Sequence, residues 1–390
     1  NLSKAIDGFK QLSGKEDSLS QHAMYLLGDA YLKTGQKSNA RNAFLFCASN
    51  SSNLQQKEIS RFQYAKLSYE LGYQDEALNG LNSFITDYPQ SQYRAEASDL
   101  LVAVLTRTNN FKDAQSMLEK MDKPTTSSKR LYPRILYGRA TELINDGRLQ
   151  EAEALLDKAL EDDNNGPVLP LIHFWKGELS YRKGDIDEAI KHYHAYIDAG
   201  APGSGEANLN NARYNLGYCY LRKENYSVAK NYFEPYSKNP ALNSSAFTQD
   251  AYIRTADCYY MQKDYTRARS MYDNVIKLSW PAEDYATFQN AMLAGVRSAN
   301  DKISLMNTMI RKFPNSSLVT DANMEVANTY MSNERFRDAI PYLNNVVNAE
   351  GNASLKPNAM LRLGTSYYNL DNNAEALKQY KLLVERYPNT

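Results

Sequence analysis

The hydrophobic positions of this chain follow a frame that recurs along most of its length. A small residue is followed by a large or aromatic one three positions later, by Ala after twelve, and by large apolar residues after sixteen and nineteen. Gly217-Tyr220-Ala229-Phe233-Tyr236 and Gly364-Tyr367-Ala376-Tyr380-Leu383 show it most clearly. Gly28-Tyr31-Ala40-Phe44-Cys47, Ala256-Tyr259-Ala268-Tyr272-Val275 and Ala327-Tyr330-Ala339-Leu343-Val346 repeat it. Looser copies start at Ala65, Val102, Ala140 and Gly177, so nine copies carry Ala at one offset.

Residues three and four apart share one face of a helix, so each copy predicts a pair of helices. Turn residues separate them, as in Lys33-Thr34-Gly35-Gln36, Asp146-Gly147-Arg148 and Lys183-Gly184-Asp185. The small residue of the first helix and the Ala of the second are expected to face each other and let the helices approach, with the large residues filling the space around them. Neither helix can bury its apolar face alone, so each pair has to stack on the next.

This frame resembles the tetratricopeptide repeat (TPR) over about residues 21 to 390. The resemblance implies an all-α fold, a right-handed α-α superhelix (a TPR solenoid) of about ten helix-turn-helix repeats. Residues 1–20 then read as the second helix of a truncated preceding repeat, 21–200 as repeats one to five, 201–209 as a linker and 210–390 as repeats six to ten. Repeats begin near residues 21, 58, 95, 133, 170, 210, 249, 283, 320 and 357, mostly 37 apart. Pro often closes a repeat, as in Tyr88-Pro89-Gln90-Ser91, Phe313-Pro314-Asn315-Ser316 and Tyr387-Pro388-Asn389-Thr390, with Ser or Thr two later as a cap for the next helix. Pro235 is expected to kink the second helix of the sixth repeat. A second linker, 239–245, follows that repeat. The eighth repeat is degenerate, with Lys302 in the place of Ala.

Composition narrows the function classes. The 45 basic residues match the 45 acidic ones without a basic block at either end, which argues against nucleic acid or an anionic membrane as the main partner. No run approaches the ~20 apolar residues of a transmembrane segment. Cys47, Cys219 and Cys258 are too few and too scattered for a disulfide framework, and all three read as core residues. No phosphate loop, HExxH or CxxC is present, and His192 and His194, two apart on a helix, point to different faces. The chain is therefore read as non-catalytic, with no metal site and no cofactor.

The 30 tyrosines against 2 tryptophans need a place. In the family that the chain resembles, first helices line a concave surface and contact ligands on the face opposite their packing stripe. That implies a peptide-binding face carrying Tyr25 and Asp29 in the first repeat, Phe62, Lys66 and Tyr69 in the second, Tyr137 in the fourth, and Phe174 and Tyr181 in the fifth. Asn211, Tyr214, Tyr218 and Arg222 follow in the sixth, Asp257 and Tyr260 in the seventh, and Tyr368 in the tenth. Tyr214, Tyr218 and Arg222 form the best cluster. The Lys and Asn clamp of the family's chaperone-binding members is not matched. A groove of Tyr, Asn and mixed charge suits a protein or peptide segment, or else sugar rings stacked on aromatics in a carbohydrate- or cell-wall-binding module. The Tyr-Pro-x-Ser phrase is similar to repeats of bacterial cell-envelope assembly proteins, which implies the periplasm or envelope of a Gram-negative bacterium, with the cytoplasm as the alternative. Leu377 and Val384 occupy offsets that a following repeat would cover, so the expectation is either a repeat array that continues past Thr390 or self-association of two copies through the C-terminal repeat.

Overall fold

The computed structural model describes residues 2–12, 17–203, 205–240, 245–350 and 353–388. Parts of both expected linkers (204 and 241–244) and the last two residues of Tyr-Pro-Asn-Thr lie outside the described residues. The chain forms two compact units, 1–209 and 210–390. Among the described residues all regular structure is helical. The first unit contains α1 (Leu2–Gln11), α2 (Ser18–Lys33), α3 (Lys37–Ser49), α4 (Leu54–Leu71), α5 (Gln74–Asp87), α6 (Arg94–Arg107), α7 (Phe111–Glu119), α8 (Thr126–Asn145), α9 (Leu149–Leu160), α10 (Leu169–Lys183) and α11 (Ile186–Asp198). The second contains α12 (Leu209–Arg222), α13 (Tyr226–Phe233), α14 (Ala246–Met261), α15 (Tyr265–Lys277), α16 (Glu283–Gly295), α17 (Ala299–Lys312), α18 (Val319–Ser332), α19 (Phe336–Asn348), α20 (Lys356–Asn369) and α21 (Asn373–Arg386). Within each unit, consecutive helices pack as antiparallel hairpins, and each hairpin stacks on the next.

One turn explains the frame. Seven residues after the small residue, the backbone enters the left-handed region at Gly35, Gly72, Asn109, Gly147, Gly184, Glu224, Lys263, Glu334 and Asp371, with φ between 56° and 92°. The N–H of the next residue then donates back to the carbonyl five before it at 2.8–3.0 Å, as from Gln36 to Tyr31 and from Asn372 to Tyr367. This is the Schellman closure of a helix, which satisfies carbonyls that would otherwise be orphaned. The same residue opens the second helix. Its own carbonyl accepts the N–H of the frame's Ala at 2.9–3.2 Å, from Ala40 to Gln36 through to Ala376 on Asn372. The Ala offset is therefore the first hydrogen bond of each second helix. All nine of these alanines are buried.

The packing across each hairpin differs from the expected contact of small against small. The nearest side chain at the frame's glycine is the ring sixteen positions on. A Cβ at Gly28, Gly177, Gly217 or Gly364 would stand 2.8, 3.0, 2.6 or 2.5 Å from Phe44, Tyr193, Phe233 or Tyr380. Where the sixteenth residue is Leu, as at Leu81, Leu118, Leu156 and Leu343, the small position holds Ala65, Val102, Ala140 or Ala327. Side-chain volume is conserved across the pair, as close packing demands. Val102 opposite Leu118 and Ala256 opposite Tyr272 are the larger exceptions.

Two further expectations, on Pro235 and on the start of the fourth repeat, are corrected. Pro235 ends its helix rather than kinking it: α13 stops at Phe233, and Glu234–Tyr236 form a single 3-10 turn. The fourth repeat starts at Thr126, capped by Thr125, so Pro133 lies about two turns inside α8. The eighth repeat is fully helical but built differently. It lacks the left-handed residue, Ser298 caps α17 instead, and Gly295 leaves room for the stem of Lys302. The Lys302 ammonium reaches Glu325 of α18 at 2.6 Å. At α21, Leu377 and Val384 are 55% and 68% exposed, whereas their equivalents Leu78, Ile85, Ile340 and Val347 are half-buried.

Two glycine exchanges should have opposite effects on urea unfolding. Glu334→Gly removes a left-handed L-residue and should stabilise by about 0.5–1 kcal/mol. Gly217→Ala drives a methyl into Phe233 and should cost about 1–3 kcal/mol, partly recovered by adding Phe233→Leu. Loss of stability in Glu334→Gly, or no recovery in the double variant, would contradict this reading of the turn and the pairing.

Candidate functional site

Besides the tyrosines three after the frame's small residue, a second set of first-helix tyrosines falls three before or four after it, two positions seven apart and hence on one helix face. In the first unit these are Tyr25, Tyr69, Tyr137 and Tyr181, on α2, α4, α8 and α10, and each ring is half-buried. Tyr25 meets Phe44 edge-on at 6.2 Å, and the Arg107 guanidinium lies 4.6 Å from the centre of the Tyr69 ring. Burial raises the phenols of Tyr25 and Tyr137 above their ordinary range. Packing thus fixes the body of these rings while an edge stays in solvent.

Phe62 and Phe174 occupy the same minus-three position but are core side chains, 1% and 3% exposed. Phe62 stacks on Tyr93 at 4.8 Å, and Phe174 meets Trp175, Tyr193 and Tyr196 edge-on. Without a hydroxyl to keep wet, the ring sinks fully. Both are removed from the expected contact face. The charged residues of that face are engaged too. Asp29 pairs with Lys33 one turn on, and Lys66 of α4 reaches Glu96 of α6, each at 2.6 Å.

In the second unit the expected residues converge on partners that the spacing did not reveal. Tyr214 and Tyr218 of α12 both donate to one oxygen of Asp250 on α14, at 2.6 and 2.5 Å. Arg254, one turn along α14, donates to the other Asp250 oxygen at 3.3 Å and to Asp257 at 2.5 Å. Asp257 also accepts from Tyr272 of α15 at 2.6 Å and from Tyr285 of α16 at 2.9 Å. Burial, reinforced by the bond to Asp250, pushes the Tyr218 phenol up to about 12. Burial raises the Asp257 carboxyl, against the opposing pull of Arg254 and the two phenols. This line of acid, base and acid with four phenols ties three repeats together. Tyr214, Tyr218 and Asp257 therefore serve stacking first. Asn211 and Tyr260 are half-buried and Arg222 is exposed on the same helices.

Among the described residues no group of three or more His, Cys, Asp and Glu is placed to hold a metal. His192 is buried and pairs with His173 of α10, Nδ1 to Nδ1 at 2.9 Å. Cys47, Cys219 and Cys258 are free and buried, and burial lifts the Cys258 thiol to about 12. Among the described residues no helix is long and apolar enough to cross a membrane.

Three tetratricopeptide repeat models match the chain. One covers residues 137–204, another 60–91, 250–279 and 358–390, and a third 21–51 and 211–234. Together these spans take in more than half of the sequence. The chain belongs to the tetratricopeptide repeat family. Repeats of this family generally mediate protein–protein interactions, which supports a scaffold role. No curated protein matches the chain. Among solved structures, a tetratricopeptide repeat protein from Parabacteroides merdae is 16% identical, with a TM-score of 0.49 over 66% of this chain and 94% of its own. The C-terminal part of a TPR repeat-containing protein from Cytophaga hutchinsonii is 17% identical, with a TM-score of 0.44 over 66% of this chain and 97% of its own.

The histidine pair gives this TPR protein a defined acid response. Burial, with His173 adding to it, lowers His192 from 6.5 to about 4. Below pH 6.5 the unfolded chain takes up a proton that the folded one refuses, so stability is whole above 6.5 and falls as the pH drops towards about 4. The Tm of His192→Gln should decline less over that range than that of the parent. Parallel declines would show that the pair does not set the response.

Proposed function

We propose that this chain is a non-catalytic scaffold that binds extended polypeptide segments along the tyrosine face of its first helices. The carrying observation is the set of half-buried rings that recurs at one helical face, Tyr25, Tyr69, Tyr137 and Tyr181 in the first unit and Tyr260 in the second. Tyr368 on α20 continues the position at 62% exposed. A tyrosine whose body is already packed loses little conformational freedom on binding, and it offers both an apolar face and a hydroxyl. Within the second unit, the bonds from Tyr214, Tyr218 and Tyr285 to α14 hold first helices in register, so their face is preformed.

The setting that we propose is the periplasm of a Gram-negative bacterium, in envelope assembly, on the strength of the Tyr-Pro-x-Ser phrase. Recovery of the native protein with cytoplasmic markers would remove that part. The exposed Leu377 and Val384 support association of two copies through α21. Light scattering that shows only monomer at every concentration would remove that one.

A peptide-display screen on the full chain, run beside a glycan array, tests the main reading. Selected peptides should lose about tenfold in affinity with Tyr260→Ala or Tyr368→Ala. Tyr368→Ala should leave Tm unchanged, since its ring is mostly in solvent. Glycan hits with no peptide selected would replace the reading with carbohydrate binding.

A further inference from the structure

The first unit holds a cavity of about 530 Å³, bounded by α8, the turn ahead of α7 and the segment entering α10. Its floor is apolar, built from the half-buried Phe111, Tyr137 and Leu171. Phe111 can lie against α8 only because residue 138 is glycine, where a Cβ would stand 2.5 Å from three atoms of the ring. Arg130 and Arg134 stand exposed on the rim, one turn apart on α8, with the amide of Asn109 across the opening.

The charge of this rim is uncompensated. Of the seven other arginines of the unit, Arg41, Arg61, Arg107, Arg139, Arg148 and Arg182 are paired with a carboxylate or lie over a ring, and only Arg94, away from this cavity's lining, is not. Among the described residues Arg130 and Arg134 do neither, and no carboxylate lines the cavity. Guanidinium groups four apart on a helix are neighbours on its surface, and each can hold a carboxylate by two parallel hydrogen bonds.

We propose that this cavity binds an acidic peptide segment carrying a bulky apolar side chain. The apolar side chain enters against Phe111, Tyr137 and Leu171. Flanking carboxylates are held by Arg130 and Arg134, and Asn109 bonds a backbone amide. Two arginines in a chain of zero net charge are too few for a lipid surface or a nucleic acid, both of which need clustered cations. The inference rests on the peptide-binding reading above and names the chemistry recognised at one place.

The test uses the full chain and a short fluorescein-labelled Gly/Ser peptide bearing one Phe flanked on both sides by Asp. This peptide should bind, weaken with rising salt, and lose about tenfold when its Asp residues become Asn or its Phe becomes Ala. Arg130→Ala with Arg134→Ala should lose about as much. Arg269→Ala with Arg297→Ala, exposed arginines of the second unit, should change nothing. Equal binding to parent and the Arg130/Arg134 double variant overturns the site. So does binding to phosphatidylglycerol vesicles without binding to the peptide. If display-selected peptides bind but the acidic one does not, the site falls while the peptide-binding reading stands. If no peptide of any composition binds, the underlying reading falls.

Discussion

A single left-handed residue per repeat is the constraint on which the rest of the structure depends. Its backbone turn lets the residue after it do two jobs. The N–H of the following residue closes the first helix, and its carbonyl starts the second. The two helices therefore leave the turn in fixed register, which places the Ala twelve along and the large residue sixteen along against the first helix every time. The Gly–aromatic and Ala–Leu pairings follow from that register, because an unvarying backbone leaves a space of constant size for two side chains to share. The eighth repeat supports the argument by contrast. It lacks the left-handed residue, uses Ser298 as a cap, and replaces the Ala contact with Gly295 against the Lys302 stem.

Register between hairpins has a different origin. In the second unit it is polar: Asp250, Arg254 and Asp257 of α14 bond to phenols from α12, α15 and α16. The bonds from Tyr214, Tyr218 and Tyr285 cross from one hairpin to another, so these first helices form one surface rather than independent rods. Such a network is costly to bury unless every member is satisfied, and here each of the three charged groups has at least two partners. The same satisfaction limits its availability. A ligand could take Asp250 only by displacing Tyr214 or Tyr218, which is why the half-buried rings of the first helices, and Arg130 and Arg134 of α8, carry the binding proposals instead.

Much of the fold was legible because periodicity reports a backbone event. The Ala offset marks a hydrogen bond, and four of the left-handed positions are openly written as Gly35, Gly72, Gly147 and Gly184. Asn109, Glu224, Lys263, Glu334 and Asp371 hide the same conformation, since a solvent-exposed L-residue can bear it at modest cost. The contact face was legible as a position but not as a depth. At the same offset Tyr keeps an edge in water, whereas Phe62 and Phe174 sink, a difference set by one hydroxyl. Asp250, and with it Arg254, was missed because the phenols that Asp250 holds lie one repeat away, across a linker whose length varies. The cavity beside Arg130 was missed for a related reason, as it joins a turn, a helix and an incoming segment that share no frame.

The central claim is that polypeptide binds along the first-helix face. Hydrogen–deuterium exchange of the full chain, with and without a display-selected peptide, tests it most directly. The account requires new protection along first helices, α4, α8 and α10 in the first unit or α14 and α20 in the second, with second helices unchanged. Protection confined to second helices such as α15 and α17 would contradict it.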